Sequence, residues 1–180
     1  MVGDAALICL LSTSRSRTVT VDEKWDFLSR LDDELLMGGV ILSEWTSFIV
    51  RDVDTAFCNG ANLACILAAQ AAIESHLRYE YGAPPIRNAG AYHLIEHSQM
   101  DASLKADLHR LRAFRNQWVH LNDPHDDHQL LLRPELVESE LEEMARHAIV
   151  RAATAFRPER SRCLSLALKP PLSCSVPASL

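Results

Sequence analysis

The chain lacks any run of the roughly 18–20 consecutive apolar residues that a membrane-spanning helix needs. Its longest candidate near the start, residues 5–11, is short and follows Asp4 rather than a basic segment, which also argues against a secretory leader. Glycine (6) and proline (8) are scarce among 180 residues and fall mostly between helical stretches, which excludes collagen-like and low-complexity states. The five cysteines, Cys9, Cys58, Cys65, Cys163 and Cys174, are odd in number and contain no C-x-x-C pair. Neither a disulfide framework nor a zinc ribbon is encoded, and a reducing, cytoplasmic setting is expected. No Gly-rich phosphate loop and no G-x-S-x-G elbow occurs, so nucleotide-hydrolase and serine-hydrolase readings find no support. Positive charge is also in deficit. Eighteen Lys and Arg against 24 Asp and Glu leave a net −6, which opposes a wide polyanion-binding face but not a small local phosphate site.

What is present is helical. Hydrophobic residues at 48% and charged residues at 23% suit one soluble domain. Strand signals are sparse and no repeat recurs. Asp22 and Glu23 open a helix reaching about Met37, where Gly38 and Gly39 stop it. The apolar stretch 40–50, with Trp45 and Phe48, reads as a second, buried helix, with a strand as the alternative because short apolar runs are ambiguous. The clearest pattern predicts one helix over 55–81, with Leu63, Leu67, Gln70, Ile73 and Leu77 at spacings of three and four among many alanines. Shorter and longer helices follow at about 88–98, 102–121 and 134–156, the last opened by Pro134. The expected organisation is a flexible segment 1–20, a helical domain 21–157, and an extended or disordered tail 158–180.

The informative window is 104–120, LKADLHRLRAFRNQWVH. On a helix Leu104, Leu108, Leu111, position 115 and Trp118 form one seam, and position 115 is Arg. A guanidinium on an apolar seam needs a partner. Arg110 and Arg112 crowd its flanks with no acid nearer than Asp107. Lys105, Arg110, Arg112 and Arg115 against Asp107 give 104–121 a net +3, while eight acids against Arg133 and Arg146 give 122–147 a net −6. Asn116 and His120, four apart, lie one turn from each other.

Arg115-Asn116-x-x-x-His120 resembles the R-polar-x3-H form of the R-x4-6-H signature of the HEPN superfamily, in the manner of its DUF4145-type bacterial members. The similarity extends to AAQAAIESHLRYEY at 68–81, to the loop 122–127 and to the final Glu-rich helix, so it covers about 55–157. The resemblance implies an all-α, four- or five-helix up-and-down bundle, dimeric through its motif helices. It further implies a metal-independent endoribonuclease of toxin or defence type, with RNA as partner and in some cases an antitoxin or regulatory protein. Arg115, Asn116 and His120 would be catalytic, Arg110 and Arg112 would hold RNA, and Glu74 would support Arg115. No cofactor, metal or membrane enters this reading.

Plainer readings stand beside it. Arg115 could be a structural guanidinium paired with an acid such as Glu74, and Glu74 is most simply an i,i+4 partner of Arg78. Arg110 and Arg112 could be solvated surface. The run HLNDPHDDH at 120–128 is rich in metal-ligand types, yet it matches no zinc spacing and Pro124 breaks any helical register. His76 and His109 read as surface histidines. A non-catalytic interaction module remains the competing function.

Overall fold

A computed structural model describes residues 19–37, 39–81, 88–120 and 132–157. The expected N-terminal segment as far as residue 18, most of the loop 120–128 and the tail 158–180 lie outside the described residues. Six α-helices and no strand occur among them, and these pack into a helical bundle. In chain order they are α1 (Val21–Leu31), α2 (Glu44–Cys58), α3 (Asn62–Tyr81), α4 (Ala91–His97), α5 (Ala102–Val119) and α6 (Pro134–Phe156). A π-helical turn, Asp32–Leu36, extends α1.

Each start has a local cause. Thr20 and Glu23 close a capping box on α1. The side chain of Ser43 caps α2 through the Thr46 amide, and that of Asp101 caps α5 through the Leu104 amide. Pro134 stands in the first turn of α6. Beyond the π turn Met37 takes a left-handed conformation, φ 51°, so the helix ends before the two glycines expected to stop it.

Two expectations need correction. The single helix expected over 55–81 is two helices. Asn59 caps α2, Gly60 adopts φ 74°, and the amides of Gly60 and Ala61 return to the carbonyls of Phe57 and Ala56. That paired closure is a Schellman ending, and it needs a residue free to go left-handed. The stretch 40–50 is not buried as a unit either. Its helix begins only at Glu44, with Trp45 78% and Phe48 60% exposed.

Helix α3 is the spine. Cys65, Ile66, Ala69, Ala72, Ile73 and Leu77 are all buried along it. It packs most extensively on α2 and α6, and also on α4 and α5. Its alanines let those neighbours approach closely. Thr46, fully buried on α2, donates to Ser75 Oγ on α3 at 3.0 Å and shares a hydrogen bond with Ser43. Lys24 of α1 is buried too. Its Nζ donates to the Phe57 carbonyl at 2.9 Å and lies 5.0 Å from the Phe57 ring centroid, so α1 is pinned to the C-terminal end of α2. His76 sits inside, edge-on to Phe156, rather than on the surface as expected.

Candidate functional site

Helix α5 carries the motif, and its three faces do different work. Leu104, Leu108 and Leu111 form the buried stripe. On one flank Asp107 Oδ2 lies 3.0 Å from Arg151 Nε of α6, while Asp107 Oδ1 accepts from Arg110 Nη1 at 3.1 Å. The Arg151 Nε–H is not aimed along its pair, so that contact is an ion pair without a hydrogen bond along the N–H. His147 of α6 stands in the same cluster. Burial, chiefly, and then Arg151 push its pKa below the ordinary histidine value. Asp107 thus faces Arg151, with His147 one turn earlier on α6.

The opposite flank faces α4. His109 Nε2 lies 2.7 Å from Glu96 Oε1, and the Glu96 carboxyl is held below its usual range, first by that hydrogen bond. Lys105 Nζ donates to the Glu96 carbonyl at 2.7 Å. The Arg112 guanidinium lies 5.5 Å from the centroid of Tyr92. Arg110 and Arg112 are separated by about 200° around the helix. Of the two, Arg112 is on the side nearer Arg115.

At the C-terminal end of α5 Arg115 and Asn116 are in contact, and His120 caps the helix one turn after Asn116. Arg115 is half-buried and its Nη1 donates to Asn116 Oδ1 at 3.1 Å. His120 is exposed. Its amide closes the last turn on the Asn116 carbonyl at 2.9 Å, and its backbone (φ −118°, ψ 88°) then leaves the helix. Phe114 and Trp118 pack against the core beside them. No carboxylate pairs with Arg115 among the described residues. Glu74, read either as the i,i+4 partner of Arg78 or as support for Arg115, holds Arg78 at 2.6 Å.

The first half of α6 carries Glu138, Glu140, Glu142 and Glu143. No three metal-ligating side chains converge among the described residues. Both described thiols are buried, with Cys65 pushed up to about 12, chiefly by burial. Among the described residues no thiol is placed to act as a nucleophile.

Sequence reasoning did not find the Asp107–Arg151–His147 cluster. Its signal was present, since 107/110 and 147/151 are spaced to line one helix face each. Compared with protein-family models, curated proteins and solved structures, the chain matches none.

Proposed function

We propose that the chain is a HEPN-type, metal-independent endoribonuclease whose active centre is Arg115, Asn116 and His120. The observation that carries this reading is the half-buried Arg115 guanidinium, held by Asn116 and without a carboxylate partner among the described residues, one turn from an exposed imidazole. A partly desolvated cation with unused donors is a ready ligand for a phosphodiester. His120 takes the proton from a ribose 2′-hydroxyl. The 2′-oxygen forms a bond to phosphorus as the P–O5′ bond breaks, and the leaving 5′-oxygen takes a proton from solvent. Arg115 binds the non-bridging oxygens as their charge grows. Asn116 orients the guanidinium. The products are a 2′,3′-cyclic phosphate and a 5′-hydroxyl. In this reading two motif helices face each other in a homodimer.

Incubation of the protein with total RNA in EDTA, beside His120→Ala, tests this. Cleavage by the wild type alone, leaving cyclic-phosphate ends, is the expected result; equal cleavage by the variant refutes the assignment.

One observation favours a second reading, a non-catalytic interaction module. Ile41, Trp45 and Phe48 are exposed in and just before the first turn of α2, and a net charge of −6 weakens non-specific attraction to RNA. RNA binding with little salt dependence, together with no cleavage, would favour it.

A further inference from the structure

Away from the motif, α1, the π turn, α2, α3 and α6 line a partly open cavity of about 140 Å³. Its walls are apolar, with Trp25, Leu28, Val53, Ile149 and Phe156 among them. Two carboxylates, Asp32 from the π turn and Asp54 from α2, also line it, and no Lys, Arg or His does. The π turn widens the end of α1 and sets Asp32 at this wall. Neither carboxylate has an ion-pair or hydrogen-bond partner among the described residues.

Such a pair is an unmet demand. Asp32 is exposed at the mouth, whereas Asp54 is half-buried, and a partly desolvated carboxylate is stabilised when protonated or compensated. A divalent metal is a poor answer, because it wants six or more oxygens and the remaining walls are hydrocarbon. A cation that brings its own apolar body satisfies both halves of the lining. Roughly 150 Å³ of apolar cavity accommodates a six-carbon ring or chain. Trp25, half-exposed, adds an aromatic face.

We propose that this cavity binds a small organic cation, a primary ammonium group on an apolar body of about six carbons, with Asp54 and Asp32 as its counter-charge. The site is independent of the ribonuclease reading. The titratable groups beside Asp54 are Asp32 from the π turn, Cys58 one turn along α2 and Cys65 from α3, while Lys24 of α1 acts on the two thiols. Burial first, then Asp32, pushes the Asp54 carboxyl up to about 6. Binding requires it ionised, so affinity for the amine falls as pH drops through that value and proton release accompanies binding there.

The test is titration of the full chain with hexylammonium at pH 8 by calorimetry and amide chemical shifts, beside hexanol, hexanoate and Asp54→Asn. The expected result is saturable binding with shifts centred on α1, the π turn and α2. Hexanol and hexanoate should bind at least tenfold more weakly, and Asp54→Asn should lose at least tenfold in affinity with an unchanged far-UV spectrum. Equal binding of hexanol, undiminished binding by Asp54→Asn, or no binding at millimolar hexylammonium overturns the proposal.

Discussion

Replacing Asp54 by Asn removes a charge that the fold holds against its preference, with almost no change of shape. The carboxyl titrates near 6 instead of 3.8, because burial and then the neighbouring Asp32 disfavour its charged form. Each tenfold change in proton affinity is worth about 1.4 kcal/mol, so ionised Asp54 costs the folded chain at most about 3 kcal/mol at pH 8. The side chain keeps some solvent, which screens the effect, and about 1–2 kcal/mol is the discounted expectation. A carboxyl whose folded pKa is raised favours the fold fully below 3.8, and that advantage is lost as pH rises through about 6. Asp54→Asn should therefore melt about 2–8 °C above the wild type at pH 8. The gap should shrink steadily between pH 7 and pH 4. Calorimetric melts at fixed ionic strength and pH 4, 6 and 8 measure it directly. A variant no more stable at pH 8, or a gap constant across pH, would refute the account of Asp54 as an uncompensated buried charge.

Four further outcomes are expected. Under the proposed ribonuclease reading, Arg115→Lys should lower single-turnover RNA cleavage about 10²–10³-fold, since an ammonium cannot span two phosphate oxygens, while shifting the melting point little. Asp107→Asn, which strips the counter-charge from Arg151 (17% exposed) and Arg110, should cost about 2 kcal/mol in urea denaturation, a loss that 0.5 M salt does not erase. Ile73→Ala, at a fully buried position on α3, should cost about 2–5 kcal/mol by the same assay. Trp45→Ser with Phe48→Ser should change stability by no more than about 1 kcal/mol; a loss near 4 kcal/mol would mean that α2 buries these rings after all.

The long helices were legible because their signals are redundant. Pro134, an acidic first turn and the stripe Leu141, Ala145, Ala148, Ala152 and Phe156 all agree on α6. The break between α2 and α3 rests on Gly60 alone, and one glycine in an alanine-rich stretch does not outweigh the periodicity on either side. Trp45 and Phe48 misled for a different reason. Aromatic size says that burial would be favourable, but not that a neighbour is there to provide it. In the motif helix the sequence located Arg115, Asn116 and His120 on adjoining turns, as the structure also does. It could not assign partners. Glu74 had Arg78 and Arg115 both within plausible reach, and only the crossing of the helices decides between them. The Asp32–Asp54 cavity had no sequence signature, because its walls come from segments more than a hundred residues apart.

The three-residue joint at Gly60 bears on how the chain finds its shape. Closing three residues loses far less chain entropy than bringing α6 onto α3, which must fix everything between Tyr81 and Pro134. The α2–α3 hairpin is thus the large apolar contact available earliest, and its amides should gain protection first in pulsed hydrogen exchange. Placing a β-carbon at φ 74° in Gly60→Ala strains that joint alone. Refolding should then slow nearly in proportion to the stability lost, with unfolding hardly changed.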